Sequence, residues 1–145
     1  MNRYEQAIAY HKKGYNCSQS LLASFQDVTG LSEQASFDIG AGIGAGAFTG
    51  ELCGALSGGI MVLGMATPVD QNDPVASKRR TGKLSKEFQT RFEAKYGSLR
   101  CAPLLKTEIT PALCPAAQAV GTENRCEILI LSAMEIVEEI LKEQE

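Results

Sequence analysis

The sequence is poor in the residues on which most hydrolases depend. It contains no tryptophan and one histidine, His11, in 145 residues. A single histidine is a weak basis for a catalytic triad or a His-rich metal site, and neither a nucleophile elbow nor an H-E-x-x-H motif occurs. The net charge is −3, so no basic excess favours nucleic acid or an anionic membrane surface as a partner. Conventional hydrolysis and nucleic-acid binding are therefore not expected.

Long apolar runs are also scarce, and only one meets the length of a membrane span. Residues 39–69 carry a single charge, Glu51, and residues 52–69 carry none. The run is rich in glycine and alanine, whose insertion into a bilayer is only weakly favourable, and no basic cluster flanks it. We therefore expect a buried helix and no membrane insertion. The first residues lack the apolar stretch of a secretory signal, so we expect a cytoplasmic protein with mostly reduced cysteines.

A glycine-rich segment, Gly40–Gly46, is the main irregularity of the pattern. Its alternating glycines resemble a dinucleotide fingerprint only in part, because no strand precedes it and no βαβ unit follows. Nucleotide is therefore not expected as a cofactor. The segment is interpreted as a loop or as a helix end pressed against another backbone.

Helical periodicity and capping residues predict an all-α fold over the whole chain. We expect a compact single-domain irregular helical bundle, residues 1–145, with a Gly-rich central segment. Caps are expected at Asn16, Ser32, Thr49, Asp73 and Thr122. The predicted helices are Asn2–Lys13, Cys17–Thr29, one from Glu33, Gly50–Met65, Pro74–Tyr96 and Glu123–Lys142, with residues 97–121 irregular.

Glycines recur every fourth residue along the predicted fourth helix. Gly50, Gly54 and Gly58 would share one face, and a face without side chains lets another helix approach closely. The same face could serve as a homodimer contact.

Five cysteines are the sharpest functional signal, and none of them forms a C-x-x-C pair. They are Cys17, Cys53, Cys101, Cys114 and Cys126. The spacing excludes a zinc ribbon, a thioredoxin-type motif and a ferredoxin-type run, so any shared site must be assembled by the fold. Cys17, Cys53 and Cys126 are predicted at helix N-termini, where the helix dipole favours a thiolate over a thiol.

The alternative is that the cysteines are packed in the core as small apolar groups. Cys17 and Cys126 both fall on the apolar stripes of their predicted helices, as core residues would. Cys114, which precedes Pro115 in the irregular stretch, is interpreted as incidental. Glu51 could accept a proton from Cys53, although a solvated or capping carboxylate is favoured.

Several motifs together resemble the C_GCAxxG_C_C family, a group of small proteins described as redox-active. The motifs are Asn16-Cys17-Ser18-Gln19, the segment Gly40–Gly46, Cys53-Gly54-Ala55-Leu56-Ser57-Gly58, Tyr96-Gly97-Ser98-Leu99-Arg100-Cys101 and Arg125-Cys126. They cover nearly the whole chain. By position, the four family cysteines correspond to Cys17, Cys53, Cys101 and Cys126, with Cys114 as an alternative fourth.

The resemblance implies a redox role and, for many members, a link to transporter genes. A related domain in split-Soret cytochromes is thought to hold an iron–sulfur cluster, whereas the absence of C-x-x-C-H argues against haem here. Cys17, Cys53, Cys101 and Cys126 are then the expected metal ligands. The expected residues around the cofactor are Gly46, Gly54, Ala55 and Gly58.

These observations leave three hypotheses. In the first, the protein is a component of a thiol- or iron–sulfur-dependent oxidoreductase with an unknown redox partner, and its four cysteines ligate a cluster or provide a dithiol pair. Cys53, with Cys17, is then the expected catalytic thiol because of its helix start. In the second, four thiolates bind zinc without redox chemistry. In the third, the protein is a structural or partner-binding helical protein with its cysteines in the core.

Overall fold

Helices make up all of the regular secondary structure of the protein. The computed structural model describes residues 1–145, and its only β-type pairing is a single antiparallel bridge between Leu52 and Arg100. The expected all-α fold is therefore confirmed. The elements are α1 (Arg3–Lys12), α2 (Cys17–Ala23), α3 (Gln26–Thr29), α4 (Glu33–Gly40), a wide turn (Gly46–Gly50), α5 (Gly54–Ala66), α6 (Pro74–Tyr96), α7 (Cys101–Leu105), a 3-10 turn (Pro111–Leu113), α8 (Pro115–Val120) and α9 (Arg125–Glu143).

Helix α5 lies at the centre and packs against α2, α6 and α9. Leu56, Val62 and Leu63 of this helix are fully buried, which explains why the run without charges has no polar face. No helix is both long enough and apolar enough to cross a membrane. The buried-helix interpretation of this run is confirmed.

Side-chain caps begin several helices where the sequence predicts them. The side chain of Asn16 accepts from the backbone N–H of Gln19, and the Gln19 side chain closes a capping box at α2. Ser32 caps α4, and Asp73 caps α6 with Pro74 in its first turn. The last helix differs slightly, because Asn124 and not Thr122 provides the cap of α9.

The second helix is predicted to run without a break from Cys17 to Thr29. This prediction is wrong, because the chain leaves the helix at Ser24 and Phe25, which separate α2 from α3. The carbonyl of Ser24 accepts a hydrogen bond from the Arg3 guanidinium at 2.9 Å, and that guanidinium also lies over the Phe25 ring. A carbonyl bonded to a side chain in this way is compatible with a helix that ends there.

The predicted fourth helix starts four residues too early. Gly50 has a left-handed φ of +72°, and Leu52 pairs with Arg100, so helical geometry begins only at Gly54. Cys53 is consequently the N-cap of α5, and Thr49 caps nothing there. Residues 97–121, predicted irregular, contain the short helices α7 and α8.

Helix α2 approaches α5 closely at Gly54. A Cβ built on Gly54 would lie 2.9 Å from Ser18 Oγ, and that hydroxyl donates to the Gly54 carbonyl at 2.7 Å. The predicted close approach through glycine is therefore present at this position, whereas Gly50 lies outside the helix. The contact fixes the start of α2, with Cys17, against the start of α5, with Cys53.

Candidate thiol site

Four of the five cysteines line one cavity of about 220 Å³, which we call the thiol cavity. Cys17, Cys53, Cys101 and Cys126 contribute to its wall. The remaining lining residues are His11, Asn16, Ala45, Gly54, Leu104, Leu105 and Leu129. The positions carried over from the family resemblance are thus the positions that the fold brings together. Of the residues expected around a cofactor, Gly54 lines the cavity, whereas Gly46, Ala55 and Gly58 do not.

The antiparallel Leu52–Arg100 bridge brings together the segments that carry Cys53 and Cys101. The Cys53 N–H donates to the Leu99 carbonyl at 2.8 Å, and the Cys101 N–H donates to the Glu51 carbonyl at 2.7 Å. Each cysteine directly follows one partner of the bridge. Backbone pairing between segments about 50 residues apart therefore builds half of the thiol set.

Capped helix starts place the other two thiols. Cys17 is the first residue of α2, directly after the cap Asn16, and Cys126 is the second residue of α9. The Asn16 side chain also donates to the carbonyls of Gly40 and Ala41 at 3.1 and 3.2 Å. The glycine-rich segment is thereby held against the start of α2.

Cys114 lies outside the thiol cavity and is fully buried. It precedes α8, and burial raises the pKa of its thiol to about 11. The structure therefore places Cys126, and not Cys114, beside the other three family cysteines. A packing role for Cys114 agrees with the sequence interpretation of this residue.

Burial and neighbours separate the pKa values of the four cavity thiols. Burial raises the pKa of Cys53 to about 11, although the backbone amides of Ala55 and Leu56 act to lower it. Burial also raises the pKa of Cys101. The expectation that a helix start makes Cys53 the readiest thiolate is therefore outweighed by its exposed fraction of only 4 %.

Cys17 and Cys126 behave as a pair. The interaction between the two thiols is the largest effect on both, and it raises the pKa of Cys17 and lowers that of Cys126 to about 6. Burial acts to raise the pKa of both thiols, whereas His11 and Arg125 act to lower that of Cys126. These opposite directions make Cys126 the more acidic thiol of the pair.

His11 was not singled out by sequence reasoning as a site residue, yet it lines the thiol cavity. Its Nδ1 lies 2.8 Å from Glu127 Oε2, and Glu127 is only 4 % exposed. His11 lies three and four residues after Ile8 and Ala7, and this helical spacing is the only signal in the sequence that the ring faces the interior. Nothing in the local pattern connects it with residues 126 and 127.

Glu51 does not reach the Cys53 thiol as a proton acceptor. Its carboxylate pairs with the Arg100 guanidinium at 3.1 Å, with both side chains mostly exposed. The sequence favours a solvated or capping carboxylate, and this solvent-exposed ion pair agrees with the solvated role.

All five cysteines are free thiols. No three His, Cys, Asp or Glu side chains are grouped closely enough to hold a metal ion. Thiolates are suitable ligands for iron–sulfur clusters and zinc, but this arrangement of the donors does not fit either group without movement. The expected iron–sulfur cluster and its zinc alternative therefore stay predictions.

One protein family matches most of the chain. A family model described as "Putative redox-active protein (C_GCAxxG_C_C)" matches residues 15–140. The chain belongs to the C_GCAxxG_C_C family. No curated protein and no solved structure matches the chain.

Proposed function

We propose that this protein is a thiol–disulfide oxidoreductase component that uses Cys126 as the attacking thiolate and Cys17 as its partner thiol. The observation that carries the proposal is that Cys17 and Cys126, at the starts of the packed helices α2 and α9, line the same cavity. Family membership supports a redox role for the cysteines. Cys17 keeps its predicted role as a catalytic thiol. Cys126 takes the nucleophilic role that the sequence predicts for Cys53.

The reaction requires an oxidant of the disulfide class, RSSR. The Cys126 thiolate attacks one sulfur of RSSR, which forms a Cys126–SR mixed disulfide and releases RS⁻. Cys17 loses its proton and attacks Cys126 Sγ, which forms the Cys17–Cys126 disulfide and releases the second RS⁻. Two protein sulfurs are oxidised, one disulfide is reduced to two thiol equivalents, and the reverse sequence reduces the protein.

Trapping the mixed disulfide tests this order of events. In a Cys17→Ser variant the second attack is impossible, so one RS group should remain on Cys126 after treatment with bis(2-hydroxyethyl) disulfide. A Cys126→Ser variant should not accumulate the corresponding adduct on Cys17, because the pKa of Cys17 is raised. Peptide mass spectrometry locates the adduct. An adduct on Cys53 or Cys101 in the Cys17→Ser variant would contradict the proposal.

Metal analysis of protein purified without oxygen tests the predicted cofactors at the same time. A spectrum that bleaches with dithionite, together with iron and sulfide, would indicate an iron–sulfur protein and would replace the dithiol proposal. A colourless protein with bound zinc would favour the non-redox hypothesis. Metal-free protein with the adduct on Cys126 is the result that the proposal expects.

A further inference from the structure

Apart from its sulfurs, the thiol cavity is lined mostly by apolar groups. Leu104 and Leu129 are its buried leucines, with exposed fractions of 1 % and 3 %, whereas Ala45 and Leu105 are its exposed members. No Lys, Arg, Asp or Glu side chain lines it. A ligand that enters the cavity therefore meets methyl groups and thiols, and it is stabilised mainly by the removal of apolar surface from water.

The two polar side chains of the wall that are not thiols already have partners within the protein. The Asn16 amide group donates to the carbonyls of Gly40 and Ala41. His11 Nδ1 lies 2.8 Å from the Glu127 carboxylate. A polar substituent that entered the cavity would therefore lose its hydrogen bonds to water and find few partners in return, which is unfavourable.

The neighbouring cations do not provide a site for a carboxylate inside the cavity. Arg100 pairs with Glu51 at 3.1 Å, and Arg125 donates to the Thr107 carbonyl at 3.0 Å. Neither of these two side chains lines the cavity, and Lys106 does not line it either. Because an ionised carboxylate is costly to bury without an opposite charge, we expect anionic disulfides to enter poorly.

The volume of the cavity limits the size of a ligand. About 220 Å³ is below the range of roughly 300–1,000 Å³ that is typical of sites for drug-sized ligands. It corresponds to roughly seven water molecules at about 30 Å³ each. A disulfide with short arms suits this space, whereas a disulfide between peptides would carry polar backbone groups against an apolar wall.

We propose that the substrate of the thiol cavity is a small, uncharged disulfide with short arms, and that Leu105 limits the size of the disulfides that enter. This inference rests on the proposed thiol–disulfide function. Leu105 is the last residue of α7 and is 48 % exposed, so its side chain lies at the solvent edge of the cavity. Overall, RSSR and the thiols of Cys17 and Cys126 give the Cys17–Cys126 disulfide and two RSH, where R is a short, uncharged group.

Three disulfides separate the effect of charge from that of size. Bis(2-hydroxyethyl) disulfide is small and uncharged, dithiodipropionate is small and carries two carboxylates, and the disulfide of N-acetylcysteine amide is uncharged but larger. Each is mixed with reduced full-length protein, and samples are quenched in acid and analysed by mass. Urea-unfolded protein presents the same thiols without the cavity, so dividing each rate of thiol loss by the rate in unfolded protein gives a relative rate that removes the intrinsic reactivity of the disulfide.

The relative rates of dithiodipropionate and of the amide disulfide should be lower than that of bis(2-hydroxyethyl) disulfide by at least about tenfold, the lower end of discrimination by an apolar pocket. If either relative rate equals or exceeds that of bis(2-hydroxyethyl) disulfide, the inference is overturned while the proposed function stays intact. If none of the three yields the Cys17–Cys126 disulfide, the proposed function fails and the inference fails with it.

A pair of leucine variants tests the entrance of the cavity. Leu105→Ala should raise the relative rate of the amide disulfide several-fold, because a smaller side chain widens the entrance. Leu113 is exposed to a similar extent, 51 %, but does not line the cavity, so Leu113→Ala should keep the wild-type rate. Substitutions at such exposed positions usually change stability little. Equal rates in the two variants would overturn the role of Leu105.

Discussion

At the scale of single residues, position at a helix start does not decide which cysteine is acidic. Cys53 is the N-cap of α5 and Cys126 is in the first turn of α9, so the helix dipole favours a thiolate at both. Burial dominates the pKa of Cys53, and the interaction with Cys17 dominates that of Cys126. The immediate neighbours of a thiol therefore matter more than its place in the helix.

Alkylation should consequently reach Cys126 first. Thiolate is the reactive form, and the lowered pKa of Cys126, about 6, means that its thiolate increases as the pH rises through that value. Limited iodoacetamide treatment near pH 6 to 7, followed by peptide mass spectrometry, should label Cys126 before Cys53, whose pKa is about 11. Earlier labelling of Cys53 would show that the order of acidity is wrong.

A Cys114 variant tests whether the site is limited to the four cysteines of the thiol cavity. It is fully buried but outside the thiol cavity, so Cys114→Ala should decrease the free energy of unfolding by about 1–2 kcal/mol through lost packing. Disulfide formation between Cys17 and Cys126 should keep its wild-type rate. Urea unfolding and the quenched oxidation assay measure the two effects separately, and a changed rate in the folded variant would extend the site to Cys114.

At the scale of elements, the turn beside the cavity has an unusual backbone conformation. Ala45, Gly46, Ala47 and Phe48 have positive φ values of 50°, 62°, 57° and 59°, which form a left-handed turn. This conformation costs an L-residue about 1–2 kcal/mol relative to its right-handed form. Ala45 lines the cavity, and Phe48 is 68 % exposed.

Replacing an alanine in this turn by glycine should therefore stabilise the protein. Ala47→Gly should raise the free energy of unfolding by up to about 1 kcal/mol, because relief of the left-handed strain exceeds the added entropy of the unfolded glycine. Ala94→Gly, at an exposed position inside α6, should lower it by about 1 kcal/mol. Urea denaturation of both variants measures the difference, and a loss of stability in Ala47→Gly would contradict the strain argument.

Two helical glycines should respond in opposite ways to alanine. A Cβ at Gly59 in α5 would lie 2.5 Å from Phe88 Cζ, whereas a Cβ at Gly82 in α6 would meet nothing within 4 Å. Gly59→Ala should decrease the free energy of unfolding by about 1–3 kcal/mol through overpacking, and Gly82→Ala should increase it by up to about 1 kcal/mol. Thermal or urea denaturation compares the pair; equal effects would mean that α5 and α6 do not pack as described.

Local signals were sufficient to predict most helices but not the junctions that build the cavity. Asn16, Ser32 and Asp73 act through hydrogen bonds within a few residues, and such contacts are visible in a sequence. The late start of α5 depends on pairing between Leu52 and Arg100, and Glu127 pairs with His11, 116 residues away. Contacts between residues so far apart in the sequence do not show in its hydrophobic periodicity. The family resemblance supplied the four cysteine positions.

At the scale of the whole molecule, the packing of helices around α5 brings separate chain segments to one cavity. Thiols contributed by the starts of α2, α5, α7 and α9 line it, together with His11 from α1. Because no neighbouring pair in the sequence supplies the site, the proposed selective pairing of Cys17 with Cys126 should be lost when the fold is lost.

The most direct test of the proposed thiol–disulfide function is to identify the first disulfide that the native protein forms. Reduced protein is treated with one equivalent of bis(2-hydroxyethyl) disulfide, the remaining thiols are blocked in acid, and the linked peptides are identified by mass spectrometry. A Cys17–Cys126 disulfide as the main product is the expected result. Protein whose five thiols all stay reduced, or whose first disulfide joins any other pair of cysteines, would contradict it.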